Sequence, residues 1–331
     1  MGEMMDKFMD AFAELFTNVQ SALFEGVVQP LAFALGLGSR LEEAFTATEW
    51  LLVGLLQLAV MLLVIAPLQR WRPIEPVTDP SAVRTDVLYT LIHRLGLFRL
   101  VLFFTVDGYL FDLWGFLHVQ GFANFNIDDL WPGVTDMHWL SFVLYLVLFD
   151  FLNYWLHRAQ HQFNWWWSLH ALHHSQQQMT QWTDSRNHLL DDFLMAIVWV
   201  FIAQLVGIAP SQFVAVIAIT QLSENLQHAN LRVNFGWLGE RLWISPRFHR
   251  VHHGVGVGHE SQGQVLGGHN FGVLFPWWDM LLGTADFATQ KVQTGVRDQV
   301  EQGRDYGKGF WSQQVLGIKR LIAVFGSSTQ H

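Results

Sequence analysis

Cysteine is absent from all 331 residues. That excludes a disulfide framework, a thiolate nucleophile and any Cys-ligated zinc or iron–sulfur site. A metal here must be held by His, carboxylate or water. Charge is scarce as well. Asp, Glu, Lys and Arg make up 14% of the chain, against about 25% in soluble globules. The net charge is −9, and residues 1–50 hold eight carboxylates against Lys7 and Arg40. Nucleic acid is therefore an unsuitable partner, because binding phosphate needs a basic face. The opening MGEMMDKFMDAFAELF lacks a basic stretch followed by an apolar core, so no cleavable signal peptide is expected. It also lacks Ser or Thr at the sixth position, which argues against myristoylation. No GxGxxG stands ahead of a helix in a nucleotide-binding context, and no fused haem domain is visible.

What is present is apolar. Hydrophobic residues make up 51% of the chain, with 16 Trp and 27 Phe, and they come in blocks, as in a polytopic membrane protein. WLLVGLLQLAVMLLVIAPL (50–68) carries no charge over a length that crosses a bilayer as a helix. A second candidate lies within 87–113, interrupted by His93, Arg94, Arg99, Asp107 and Asp112. A third is HWLSFVLYLVLFDFLNYWLH (138–157), with Asp150 embedded in it. Residues 193–223 are apolar for nearly two helix lengths around GIAPSQ (207–212), which reads as two short helices turning at Pro210. Residues 4–37 have helical spacing broken by Pro30, suiting an interfacial or packing helix. GFWSQQVLGIKRLIAVF (309–325) reads as an amphipathic closing helix.

Basic residues orient these segments. Arg70, Arg72 and Arg84 follow the first span. Residues 100–157 contain no Lys or Arg, and basic residues return from Arg158 onward. This predicts an all-α membrane bundle of four to five spans, with everything after 157 except the Pro210 turn on the cytoplasmic side. The expected organisation is an N-terminal amphipathic region (1–49), a membrane bundle with the reactive core (50–284) and a C-terminal cytoplasmic tail helix (285–331). A bacterial inner membrane suits it better than the endoplasmic reticulum.

Eight of the 16 histidines fall into three tight groups. They are His157 and His161 in HRAQH, His170, His173 and His174 in HALHH, and His249, His252 and His253 in HRVHH. Offsets of three and four place side chains on one helix face. Clustered imidazoles repel one another when protonated and are costly to bury unpaired; a shared cation removes both difficulties. His93, His118, His138, His259 and His331 read as ordinary interfacial or hydrogen-bonded residues. A zinc hydrolase of the HExxH type needs Glu after the first His, and here that residue is Arg158. Eight imidazoles exceed what one zinc ion uses, so two ions in an all-imidazole cage fit the count. Imidazole suits iron, copper, zinc and nickel alike. A reactive centre beside an apolar bundle favours O2 chemistry at iron on apolar substrates.

The stretches DFLNYWLHRAQH (150–161), WSLHALHHS (167–175), QHANL (227–231), SPRFHRVHHG (245–254) and NFGVLFPWWDMLLGT (270–284) together resemble the fatty acid hydroxylase / sterol desaturase superfamily of membrane di-iron oxygenases. The resemblance covers roughly 150–284. It implies two iron ions, with O2 as co-substrate, held by His157, His161, His170, His173, His174, His249, His252 and His253, with His228 as a ninth ligand. RNHLLDD (186–192) departs from the family pattern, with Leu189 where Pro is expected. His188 is therefore read as a hydrogen-bond partner of a ligand, with ligation as the alternative.

A metal-bound His usually donates its other N–H to an acceptor. Asp150, Asn230 and Asp279 are candidates for that role, as are Asp184, Asp191, Glu224 and Asn270. Asp150 lies two turns before His157 on the same face. Trp165, Trp166 and Trp167 read as an aromatic belt. The implied activity is hydroxylation or desaturation of a lipid, acyl or sterol-like, with electrons from a separate ferredoxin-, rubredoxin- or cytochrome-like partner. Two rivals remain open: a membrane metal carrier or store, and a non-redox zinc lyase or hydrolase on the same cage.

Overall fold

The computed structural model describes residues 2–102, 105–106, 108–256 and 268–327. His259 and His331 lie outside them. Among the described residues the architecture is helical, and the sole β-pairing is an isolated bridge between Gly254 and Thr294. The α-helices are α1 (Gly2–Leu23), α2 (Gln29–Ala34), α3 (Leu41–Val60), α4 (Ala66–Trp71), α5 (Pro80–Arg94), α6 (Leu97–Leu102), α7 (Gly108–Val119), α8 (His138–Gln162), α9 (Asn164–His174), α10 (Leu189–Val206), α11 (Pro210–His228), α12 (Gly236–Leu242), α13 (Pro246–His252), α14 (Trp277–Leu282), α15 (Arg297–Gln302) and α16 (Phe310–Ser327). Among the described residues, three helical stretches are long and apolar enough to cross a membrane: Gly38–Trp71, which joins α3 to α4 through a π-helical turn, α8, and α10.

Two expectations change on contact with the backbone. The apolar segment within 87–113 is not one rod. Gly96 adopts φ +74 and its N–H bonds the His93 carbonyl, which stops α5. α6 and α7, of 6 and 12 residues, follow, and residues 103, 104 and 107 between them lie outside the described set. Pro30, by contrast, breaks nothing. It occupies the first turn of α2, where its missing N–H costs little, and helical backbone runs into it through Phe24–Val28. The turn at 207–209 forms as expected. Gly207 is left-handed (φ +63), and Pro210 opens α11.

The chain forms two compact units, Met1–Ala59 with Ile92–Val147 and Ile197–Ala218, and Val60–Leu91 with Leu148–Ala196 and Ile219–His331. In the first unit the backbones approach closely. A Cβ at Gly54 would lie 1.7 Å from the Arg94 carbonyl oxygen. The Gln57 amide donates to the Ala218 carbonyl at 3.0 Å. The Tyr145 hydroxyl donates to Asn126 Oδ1 and the Val206 carbonyl.

The second unit holds most of the histidines. Its core packs Leu169, Leu172, Ile244, Phe248, Phe271 and Leu274, all buried. Here the sequence dictates local structure plainly. Ser245 caps α13 by accepting from the Phe248 N–H at 3.1 Å, with Pro246 following at the first helical position. Phe163 leaves helical geometry (φ −91, ψ 122) and separates α8 from α9. An irregular strap runs from 268 to 276. Asn270 enters it at φ 59, a left-handed conformation that Asn tolerates better than most residues. Its amide donates to the Phe248 and Asp286 carbonyls, and its Oδ1 accepts from the Asp286 N–H.

Candidate metal centre

Five structural elements of the second unit converge here. α8 brings His157 and His161, α9 brings His170, His173 and His174, and α11 ends on His228. α13 brings His249 and His252, with His253 as its C-cap. The strap supplies backbone carbonyls. The nine imidazoles sort into two groups whose potential ligand atoms lie within 4.8 Å of one another: His157, His161, His170, His174 and His252, and His173, His228, His249 and His253. Neither group contains a carboxylate. The groups abut. His174 stacks on His253 with centroids 4.3 Å apart, and His170 on His173 at 5.3 Å.

Each HxxHH motif serves both groups. α9 sends His170 and His174 to the first and His173 to the second. α13 does the reverse, sending His252 to the first and His249 and His253 to the second. Residues four apart stay together, and the one between them turns to the neighbouring group.

The tautomers of three rings follow from their partners. His157 Nδ1 lies 2.9 Å from the Phe271 carbonyl, His252 Nδ1 lies 2.8 Å from the His269 carbonyl, and His228 Nδ1 lies 2.8 Å from the Glu224 carbonyl. A carbonyl only accepts, so each Nδ1 carries the proton. In the neutral ring each Nε2 then presents a lone pair. His170 Nδ1 lies 3.4 Å from Asp191 Oδ2. Asp191 also accepts from Trp166 Nε1 at 2.6 Å and from the Gln160 amide at 3.0 Å. Asp184 stands 3.7 Å from His228 Nδ1.

Burial disfavours the protonated form of six of these rings. It pushes His173, His174, His249 and His253 well below the usual imidazole range, and neighbouring imidazoles push further the same way. His252 falls to about 3, chiefly through burial. Burial also lowers His228, with Asp184 pulling partly back.

The donor set fits a cation. In the four-histidine group, His228 Nε2 lies 3.1 Å from His173 Nε2, 3.2 Å from His253 Nε2 and 3.0 Å from His249 Nε2. Nitrogens bonded to a common ion at about 2.1 Å stand roughly 3.0–3.4 Å apart at octahedral or tetrahedral angles. Without an ion, the lone pair of His228 would face three more ring nitrogens. In the five-histidine group, the Nε2 atoms of His170, His174 and His252 are buried with no hydrogen-bond partner. Such groups are costly to bury unless something binds them.

Several expected outer partners act at one remove. Asp150 does not reach His157. It accepts from the Leu274 and Phe275 N–H groups and from Trp278 Nε1, at 2.7, 3.2 and 2.8 Å. Asp279 accepts from the Phe271 and Gly272 N–H groups and from Thr284. Both carboxylates thus hold the strap whose Phe271 carbonyl orients His157. Asn230 pins Ile74 and Glu75 instead of a histidine. His188 lies outside both groups. Its Nε2 donates to the Gln314 carbonyl and its Nδ1 accepts from the Leu190 N–H. Those two backbone contacts occupy both nitrogens. The aromatic belt is also corrected in part, since Trp166 and Trp167 are buried. Trp167 packs 5.0 Å from the His161 ring and 5.3 Å from His174.

Sequence reasoning missed the Asp86–Arg186 pair. Arg186 holds the end of α9 through the Leu172 carbonyl and the Ser175 hydroxyl, and Asp86 Oδ1 grips it at 2.7 Å. Burial raises the Asp86 carboxyl despite that cation. Nothing around Asp86 in the sequence signals this pairing. The His269 and Phe271 carbonyls, being backbone, leave no signal of any kind.

The family model for fatty acid hydroxylase matches residues 142–284, the stretch that contains α8, α9, α11, α13 and the strap. That stretch, 143 of the 331 residues, is similar to the fatty acid hydroxylase family. Individual relatives agree. The chain is 31% identical over 177 residues to ornithine lipid hydroxylase OlsE of Rhizobium tropici, covering 53% of this chain and 50% of that one. It is 28% identical over 180 residues to human alkylglycerol monooxygenase, 54% of this chain and 37% of that one. It is 25% identical over 160 residues to the Delta(7)-sterol 5(6)-desaturase ERG3B of Gibberella zeae, 48% of this chain and 45% of that one. The chain spans half the length, or less, of these curated relatives. No solved structure matches it. All nine clustered histidines fall inside the matched stretch, 142–284.

Proposed function

We propose that the chain is a membrane-bound di-iron oxygenase, an oxidoreductase that hydroxylates or desaturates an unactivated C–H position of a lipid, using O2 and an external electron-transfer protein. The observation that carries this reading is the division of nine imidazoles, eight of them buried, into two abutting groups of five and four. An all-nitrogen set of that size suits a pair of borderline metal ions. The names of the relatives, a lipid hydroxylase, an alkylglycerol monooxygenase and a sterol desaturase, support iron over zinc and a lipid over a soluble substrate. The ligand set is His157, His161, His170, His174 and His252 for one ion and His173, His228, His249 and His253 for the other. The reactive core occupies 50–284, in a bundle of four to five spans with its histidines on the cytoplasmic side.

Bound iron would supply O2 activation and hydrogen abstraction; the chain supplies the rest. The Glu224, His269 and Phe271 carbonyls fix the protons of His228, His252 and His157 on Nδ1, so three Nε2 lone pairs are aimed before any metal arrives. Because burial disfavours the protonated form of six of the rings, few protons need to leave them when an ion binds. Asp150 and Asp279 hold the strap, and Asp191 orients His170. Trp167 and Phe271 pack against His161 at 5.0 and 5.3 Å and keep water from that side.

The test uses the full chain purified from membranes. Metal analysis is expected to give two iron ions per chain. Incubation with lipid extract, a one-electron donor protein and 18O2 is expected to add one labelled oxygen to a lipid, or to remove two hydrogens from it. Bound zinc with no O2 uptake would instead favour the hydrolase or lyase reading.

A further inference from the structure

The C-terminal helix α16 has three faces. One is buried: Phe310, Gln313, Gln314, Gly317 and Arg320 turn inward, and the helix packs along α9. A second carries Trp311, Val315, Ile318, Ile322 and Phe325 at offsets of four, three, four and three, a continuous apolar line. All five are exposed, Trp311 by 76% and Ile322 by 64%. Ser312 and Lys319, seven apart and also exposed, form a narrow polar strip beside that line.

Two hydrogen bonds fix where this helix lies. Gln314 Oε1 accepts from the N–H of Leu189, the first residue of the span α10. Arg320 Nε donates to the Ser168 carbonyl, six residues beyond the end of the span α8. The helix is therefore tied to the ends of two apolar spans, at the level where hydrocarbon gives way to headgroups. Its charge fits that level too. The exposed charges of 306–327, Lys308 and Lys319, are both positive, in a chain whose net charge is −9.

We propose that α16 is a membrane-surface helix, its apolar line set into the hydrocarbon edge of an anionic bilayer leaflet and its lysines directed to the lipid phosphates. An exposed line of Trp, Val, Ile and Phe beside cationic residues is the composition that binds an interface in this way. Anionic lipid attracts cationic residues held near the surface. The arrangement seats the imidazole centre at a fixed height above the leaflet, since α9 carries three of its histidines. It rests on the spans crossing a bilayer and is independent of the metal chemistry.

The absence of cysteine makes the test direct, because one introduced thiol is labelled alone. Val315→Cys, Lys319→Cys and Ile322→Cys variants of the full chain are spin-labelled and reconstituted in phosphatidylcholine vesicles containing phosphatidylglycerol. Collision with O2, which partitions into lipid, is compared with collision with a water-soluble nickel chelate. Labels at 315 and 322 are expected to meet O2 several-fold more often relative to nickel than the label at 319. Nickel access at 315 and 322 equal to that at 319 would place the line in water and overturn the proposal. Label–label broadening that disappears on dilution with unlabelled protein would put a second copy there, and would overturn it equally. In vesicles without phosphatidylglycerol, nickel access at 322 is expected to rise. No change would remove the anionic-lipid part.

Discussion

Acid should dismantle the imidazole centre, and the size of the effect follows from the structure. Six of its histidines outside the spans, His173, His174, His228, His249, His252 and His253, are buried and held below their ordinary pKa. In the unfolded chain each titrates near about 6.5. A group whose folded pKa is depressed gives its full stabilisation above the unfolded value and loses it as pH falls toward the folded one. For His252 that window runs from about 6.5 down to about 3. Between pH 7 and pH 5.5 the unfolded state gains roughly 1 kcal/mol by binding at His252 a proton that the folded state refuses. The other five are shifted the same way and add to the loss as pH falls, against a total stability of about 5–15 kcal/mol for an ordinary domain. Protons also compete with metal for the same nitrogens, so ion release acts in the same direction. The assay follows metal release and tryptophan emission from pH 7.5 to pH 5. Trp167, beside the His161 and His174 rings, is the natural reporter. A steep loss of both near about pH 5.5 is expected. Retained metal and unchanged emission at pH 5 would refute the neutral, buried cage.

Three substitutions extend the test. His173→Ala removes one of four converging Nε2 atoms and should empty that group of metal while the chain stays membrane-inserted; unchanged metal content by elemental analysis would contradict the ligand assignment. Asp191→Ala leaves the Trp166 and Gln160 donors without their acceptor. It should cost about 2–5 kcal/mol by thermal unfolding in detergent, and weaken metal binding by about tenfold or more through His170; wild-type values for both would dismiss the role given to it. Gly54→Ala drives a methyl into the Arg94 carbonyl and should destabilise by about 1–3 kcal/mol with metal per folded chain unchanged, which melting and elemental analysis together check.

Much of the centre was legible in the sequence because helical offsets do not depend on tertiary context. HxxxH and HxxHH put imidazoles on one face wherever the helix forms, and α8, α9 and α13 do form over those residues. The apolar runs at 50–68 and 138–157 lie within stretches that are long and apolar enough to span. Less was legible where the partner is backbone or distant. Asp150 looked like a partner of His157 because both lie on one helix face. It serves the strap instead, because three N–H donors from 274, 275 and 278 arrive there first. His188 looked like part of the centre from its neighbourhood in sequence, yet the Gln314 carbonyl, 126 residues away, claims its Nε2. The segment within 87–113 was read from composition, while Gly96 decided its backbone.

The sequence by itself determined the chemistry on offer: no thiols, many imidazoles at helical spacing, and apolar stretches that want lipid. Those are local properties, set by side-chain type and the period of a helix. Only the tertiary structure decided how nine histidines are shared. It gives His173 to the second group and His252 to the first, so that the two HxxHH motifs serve opposite groups. That choice depends on the angle at which α9 and α13 meet and on which carbonyls the strap turns inward. Both are fixed by packing between residues far apart in the chain, which no spacing along one helix encodes.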